Sequence, residues 1–410
     1  MSRASIARRR HGPGEGVPPA APRSLPGPVT FSAWILSAGS RSLPGSPLPG
    51  CLLWFVGRVG YTSVSMDVSL FDYELPPELI AQEPAEPRDA SRLMVLDRAA
   101  GGWEDRRFSE LPEVLRAGDC LVANRSRVMP ARLLGVAEPG GQAVELLLIR
   151  PVGDERWEAM VRPGRRFRPG ARIGLAGGAA LAQVVGDGSE GTRVVAIEAP
   201  WPVRELMERH GLPPLPPYIG RHDAPKPEDR ERYQTVYARE DGSVAAPTAG
   251  LHFTPELLAR LERCGVEVHY LTLHVGPGTF RPLRAGRVEE HRMEAEPIDI
   301  PGSTAAAVER ARREGRRVVA VGTTTTRALE WATGEDGRVR PGTGPADLFI
   351  RPGHRFRVVD ALVTNFHLPR SSLLVLVSAF AGRELVLAAY RHAVAARYRF
   401  YSYGDAMLIH

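Results

Sequence analysis

Apolar positions along this chain recur with two different periods, and the boundaries between them divide it. Leu93–Asp97 and Trp103–Arg107 read as short strands around an Ala-Gly-Gly turn, and Cys120–Asn124 is a fully apolar run that reads as a buried strand. Asp72–Gln82 and Ser109–Leu115 predict short helices, and Asn124–Arg132 a polar crossing segment. The texture then changes. Ala143–Pro151, Arg156–Arg162, Ala171–Ala176, Ala180–Gly186 and Thr192–Glu198 are five β-type runs separated by Gly- and Pro-rich turns. Short strands punctuated about every dozen residues predict a small all-β barrel.

Trp201–His210 returns to helical spacing, and Pro213–Pro217 is an extended connector. Pro255–Arg263 predicts a helix with Thr254 as its N-cap. Val266–Val275, Arg317–Gly322 and Ala361–Asn365 predict strands, Ser303–Glu314 a helix, and Leu373–Ala379 a buried apolar element. Helix–strand alternation implies an α/β domain with a mostly parallel sheet. The expected organisation is a disordered extension over 1–65, a discontinuous α/β domain over 66–129 and 201–410, and a barrel inserted at 130–200.

Charge changes the picture only locally. The 410-residue chain carries a formal net charge of +6. Residues 1–65 hold seven arginines against the single acid Glu15, which leaves 46 basic and 46 acidic residues for 66–410. A nucleic-acid partner would therefore be met by a local patch rather than by a globally basic surface. The first 65 residues are rich in Pro, Gly, Ser and Arg, and their apolar patches Phe31–Leu36 and Leu52–Val56 are far shorter than the ~20 residues of a membrane span. Met66 is expected to be the true start. Cys51, Cys120 and Cys264 are scattered, with no Cys-x-x-Cys pair, which argues against a zinc site or a disulfide framework. No Walker phosphate loop, early Gly-x-Gly-x-x-Gly or His-x-x-x-His is present, so a P-loop ATPase and a Rossmann enzyme are disfavoured.

The candidate chemistry lies on loops. Ala246–Thr254 and His274–Pro282 each combine a histidine, a hydroxyl and glycines: Thr248, Gly250 and His252 in the first, and His274, Gly276, Gly278 and Thr279 in the second. Glycine lets a ligand approach the backbone, and histidine moves protons near neutral pH. Thr323, Thr324, Thr325, Thr326 and Arg327 enter a helix, where free N–H groups favour an anion; the plainer reading is that they cap it. Asn365, His367 and Arg370 sit in a polar loop after a strand, where His367 could equally be structural. Glu289–Glu296 crowds carboxylates, including Glu290 and Glu296, around His291, as a proton-transfer site or a solvated loop. Tyr398–Asp405 interleaves Arg399 with Tyr401 and Tyr403, for stacking on bases or for packing.

Nine motifs in order carry a family resemblance over 66–410: Arg88–Leu93, Val128–Leu133, Pro214–Ile219, Glu231–Tyr237, the two histidine loops, and then Thr323–Glu330, Thr364–Ser372 and Tyr398–Met407. With them the chain resembles the S-adenosylmethionine:tRNA ribosyltransferase-isomerases of queuosine biosynthesis. It departs from them at Asn124-Arg125-Ser126-Arg127, where Asn-Asp-Thr-Arg is common, and at Glu294, where histidine is common.

The resemblance implies transfer and isomerisation of the ribosyl moiety of S-adenosylmethionine onto 7-aminomethyl-7-deazaguanine at the tRNA wobble position. The implied products are epoxyqueuosine-tRNA, adenine and methionine. S-adenosylmethionine is then a co-substrate, with no resident cofactor or metal. His252 or His274 is the expected base, and Glu290 or Glu296 orients or relays protons. Thr323–Thr326 hold a carboxylate or phosphate, and His367 and Arg370 line the pocket. Arg132, Arg399, Tyr401 and Tyr403 are the candidate tRNA contacts. A cytoplasmic monomer without membrane contact is expected. A methyltransferase of unusual fold and a non-catalytic RNA-binding module are the alternatives.

Overall fold

The computed structural model describes residues 65–410 except 154, 222–223, 281–282 and 284–285. The expected disorder of 1–65 thus falls, apart from Ser65, outside the described residues.

Strands β1 (Arg92–Asp97) and β2 (Gly102–Arg107) form a hairpin. A short helix α1 (Leu111–Val114) leads to β3 (Cys120–Asn124) and β4 (Ser126–Val128). Six antiparallel strands follow: β5 (Arg132–Glu138), β6 (Ala143–Gly153), β7 (Arg156–Arg162), β8 (Arg172–Leu175), β9 (Ala180–Asp187) and β10 (Arg193–Glu198). They close into a barrel in the order β10-β7-β6-β5-β8-β9, with β9 paired back to β10. Helices α2 (Val203–His210) and α3 (Asp229–Arg232) return the chain to β11 (Glu240–Ser243), which pairs in parallel with β4. The rest alternates: α4 (Pro255–Arg263), β12 (Glu267–Leu273), β13 (Glu296–Ile300), α5 (Gly302–Arg313), β14 (Val318–Val321), α6 (Thr323–Ala332), β15 (Gly342–Ala346), β16 (Ala361–Asn365), α7 (Ser372–Ala381), α8 (Arg383–Ala395) and β17 (Ala406–Ile409).

The sheet has nine strands in the order β15-β13-β12-β3-β14-β16-β17-β1-β2. Its centre, β12-β3-β14-β16, is parallel. The flanks are not: β13, β15 and β2 are added antiparallel, and β17 runs against β16. The expected mostly parallel sheet is therefore a mixed one. β3, β14 and β16 are buried at every position, as strands covered on both faces must be. Alternate residues serve the two layers. Cys120, Val122, Val318 and Ala320 pack with Val308, Ala311, Leu329 and Val375 of α5, α6 and α7. Leu121, Ala123, Val319 and Val321 pack with Leu111 of α1 and Leu257 and Leu261 of α4.

Of the expected Asp72–Gln82 helix only the short 3-10 turn Pro77–Leu79 forms, because Pro76 and Pro77 interrupt any longer helix. The Thr254 hydroxyl caps α4 by accepting from the Leu257 N–H at 3.1 Å. The barrel has its own apolar interior, including Leu146, Leu148, Ile173, Ala182 and Val195, and Leu206 and Met207 of α2 pack onto it. Among the described residues no single helix is long and apolar enough to cross a membrane.

Candidate active site

The carboxyl ends of β3, β12, β14 and β16 open on one edge of the sheet, the position where open α/β sheets take ligands. The Asn124 side chain joins two of these ends. Its amide donates to the Leu273 carbonyl at 2.9 Å, and its oxygen accepts from the Leu273 and Ser126 N–H groups at 3.0 Å each. The barrel stands over this edge and closes a cavity of about 500 Å³, within the roughly 300–1,000 Å³ of small-molecule sites. The barrel side of its wall includes Arg150, Trp157, Glu158 and Thr192. The opposite side is Asp241, Gly242, His274, Gly276, Glu294 and Glu296, with Arg204 from α2.

His274 follows β12 directly. Its Nδ1 is buried with no hydrogen-bond partner. Burial holds the imidazole below its ordinary pKa, against the opposing pull of Glu240, so it is neutral at pH 7. Gly242 makes room for it: a Cβ there would lie 2.7 Å from ring atoms Cε1 and Nδ1, and the backbone φ of 143° suits glycine alone. A Gly242→Ala variant is expected to displace the ring. Misplacement of about 1 Å costs up to about 10²-fold in rate, so steady-state kinetics of that variant should show a fall of this order.

Glu296, at the start of β13, is buried and accepts from the Gly276 N–H at 2.8 Å. Its other oxygen is paired with the guanidinium of Arg327 on α6, also buried. Burial lowers Arg327 to about 10, so the arginine still carries its charge at pH 7. On the barrel wall, burial works to raise the Glu158 carboxyl. Hydrogen bonds from Ser189, Thr192 and Arg150 outweigh burial and hold it at about 2. A carboxylate whose pKa falls on folding stabilises the protein above its unfolded value of 4.5, and that contribution is lost as pH drops toward about 2. Glu158→Gln is therefore expected to lower the melting temperature at pH 7, with the difference from the parent vanishing near pH 2 in a pH series of unfolding scans.

His252 lies in a separate cluster. Its Nδ1 is 2.7 Å from Ser91 Oγ, and its Nε2 accepts from the Asn365 amide at 3.1 Å. The ring stacks on Phe108 at 4.9 Å. Burial, with Arg399 and Arg88 nearby, lowers it to about 3. Both nitrogens are engaged, and His252 is not among the residues that line the cavity. His367 is likewise buried, lowered to about 3, with Nε2 on the Thr364 hydroxyl at 2.9 Å. The same loop places Arg370 outside the cavity, paired with Asp72.

The threonines divide. Thr325 and Thr326 donate to the Val321 and Gly322 carbonyls one turn back, so their hydroxyls are spent inside the helix. The Thr324 hydroxyl is buried with no partner, and Thr323 is buried beside it. Gly250 is buried under Tyr237 and Thr248 is half-buried. Gly278 sits against Glu294. The Thr279 side chain lies outside the described residues.

Three expectations are corrected. Arg132 is not available to tRNA: its side chain is 3 % exposed and paired with Glu145 at 2.9 Å. Tyr403 is buried beneath the surface it was expected to stack from. Glu290 is exposed and outside the cavity wall, so of the two carboxylates only Glu296 faces the site. Arg399 stays partly exposed and pairs with Asp405, and Tyr401 packs on Tyr218 at 4.1 Å. The barrel residues, Arg204 and Gly242 were not foreseen. They come from separate elements and share no linear motif, and only the Asp241-Gly242 pair offered a turn signal.

The family described as "Queuosine biosynthesis protein" matches residues 68–409. The S-adenosylmethionine:tRNA ribosyltransferase-isomerase of Symbiobacterium thermophilum is 57 % identical over 344 residues, covering 84 % of this chain and all of the relative. Those of Heliobacterium modesticaldum and Geobacter metallireducens are 53 % and 55 % identical with the same coverage. A solved structure, the S-adenosylmethionine tRNA ribosyltransferase of Thermotoga maritima, is 42 % identical, covers 83 % of this chain and all of its own, and superposes with a TM-score of 0.48. A cavity lined by the second histidine loop and a family match spanning nearly all described residues lead to one conclusion: the chain belongs to the queuosine biosynthesis protein family.

Proposed function

We propose that this chain transfers and isomerises the ribosyl moiety of S-adenosylmethionine onto 7-aminomethyl-7-deazaguanine at the tRNA wobble position, releasing adenine and methionine. The observation that carries the reading is His274, neutral and with an unpaired Nδ1, in a cavity that also presents Glu294, Glu296 and Asp241. The positive sulfonium acidifies the adjacent ribose C5′–H, so a neutral imidazole suffices to take that proton. Acidic groups in the wall suit a cationic co-substrate. His274 is the base in this reading. Glu296, fixed by Arg327 and the Gly276 N–H, orients the loop that carries it.

The N-terminus of α6, with the unpartnered Thr324 hydroxyl, suits the methionine carboxylate. His252, Asn365 and His367 support the loops rather than exchange protons. The domains are 66–129 with 201–410, and 130–200, the latter supplying one wall of the site. The acceptor base, unpaired in the anticodon loop, enters without duplex opening. The protein is a cytoplasmic monomer with no resident cofactor.

The test is to incubate the protein with S-adenosylmethionine and tRNA carrying the aminomethyl base. Adenine and methionine are expected, formed only with that tRNA. S-adenosylhomocysteine would instead mark a methyltransferase, and tRNA binding without turnover a binding module.

A further inference from the structure

A second cavity, of about 630 Å³, opens on the opposite edge of the sheet. It forms where β1 and β17 end and where β14 and β16 begin. Five arginines line it, Arg98, Arg116, Arg312, Arg316 and Arg317, against the side-chain carboxylates of Asp97 and Asp360 and the last residue of the chain, His410. In a body whose basic and acidic residues balance, this is a local concentration of positive charge.

The arginines are held mainly by carbonyl oxygens, which position a guanidinium without cancelling its charge. Arg98 donates to the Asp360 and Phe380 carbonyls at 2.9 and 3.2 Å and lies over the Phe380 ring. Arg316 donates to the Gly118 carbonyl at 2.6 Å, and Arg312 to that of Gly337. Gly118 permits this packing, since a Cβ there would meet Arg316 Cδ at 2.9 Å. Arg317 is matched by Asp119, and Arg316 by Glu267 and Glu314. Arg98, Arg116 and Arg312 have no carboxylate partner among the described residues. Asp97 accepts from the Ala99 and Ala100 N–H groups, and Asp360 from that of Val318. Both carboxylates thus have main-chain partners, and the charges of Arg98, Arg116 and Arg312 are not paired with a side-chain carboxylate among the described residues.

We propose that this cavity binds phosphate groups. Guanidinium forks match phosphate oxygens in geometry and charge. The phosphates come either from the backbone of the tRNA substrate or from a free phosphorylated small molecule. The tRNA source rests on the function proposed above, whereas phosphate binding itself does not. A four-residue strand such as β14 spans about 13 Å, so substitutions here leave His274 and its wall untouched.

The test uses the full chain and an Arg116→Ala/Arg312→Ala variant. Pyrophosphate is titrated by calorimetry, and tRNA affinity is measured across a salt series. If tRNA supplies the phosphates, the variant weakens tRNA about tenfold at low salt and flattens the log–log salt slope by about 2. In that case KM for tRNA rises while kcat is kept. If a small molecule supplies them, the parent binds pyrophosphate saturably, the variant does not, and tRNA affinity is unchanged. Unchanged behaviour in both assays, with a native melting temperature, overturns the proposal. Should the double variant fail to fold, Arg116→Glu gives the same readings, since that side chain is exposed and unpaired. Adenine release by the parent is scored separately, so loss of the ribosyl-transfer reading and loss of this site are told apart.

Discussion

Arg327→Met is expected to destabilise the protein by about 3–5 kcal/mol, the usual cost of stripping one partner from a buried ion pair. Arg327 and Glu296 are 5 % and 6 % exposed at their side chains. The Glu296 carboxylate also accepts from the Gly276 N–H and so ties β13 to the second histidine loop. A buried carboxylate deprived of its guanidinium takes up a proton or drags water inward, and either outcome loosens the loop that carries His274. Denaturant unfolding should therefore show the lower stability, and kinetics a parallel loss of activity. Pairing the substitution with Glu296→Gln removes the orphaned charge. The double variant should recover part of the stability, because the penalty lies in the unpaired ion rather than in the missing bond. Equal stability of parent and Arg327→Met would show that the pair carries no such energy.

The second large effect is catalytic. His274→Ala is expected to lower kcat by about 10²–10⁴-fold, the range of a positioned general base, while leaving the melting temperature close to that of the parent. His274 is half-buried and its Nδ1 has no partner, so truncation breaks no hydrogen bond at that atom. His252→Ala should show the reverse profile. Its ring bridges Ser91 and Asn365 and stacks on Phe108, so stability falls first. The pH dependence follows from the direction of the shift. Burial depresses the His274 pKa, so the neutral form persists below the ordinary 6.5, and activity should decline only under more acidic conditions. A His274→Ala enzyme with full turnover would remove it from the mechanism.

Much of the architecture was legible because burial and periodicity coincide. β3 and β16 lie where continuous apolar runs placed them, and the Thr254 cap begins α4 where the hydroxyl precedes proline. The reading failed where the two part. β5 was overlooked because its pattern is inverted: Arg132 is buried while Leu134 and Val136 are half-exposed on the barrel's outer face. Arg132, a candidate tRNA contact, lies on the buried side of that strand. Tyr403 looked like a stacking platform because a linear motif records side-chain chemistry and not depth. The two histidine loops stand in different clusters: His274 lines the cavity, and His252 packs with Ser91, Asn365 and Phe108. Nothing in their composition tells a ring with two satisfied nitrogens from one with an open Nδ1. The barrel wall of the cavity was invisible because its residues are neighbours only across closed strands.

The parallel pairing of β4 with β11 ties the two ends of the barrel's excursion together. Ser126 and Ser243, whose hydroxyls meet at 3.1 Å, are 117 residues apart in the chain. Closing so wide a loop in an unfolded chain is entropically costly and slow. A barrel that has already condensed shortens the effective distance, so its collapse sets the pace at which the parallel sheet is sealed. The barrel is then a timing element in assembly, and weakening its interior at Leu146 or Ile173 should show first as slower refolding of the whole chain.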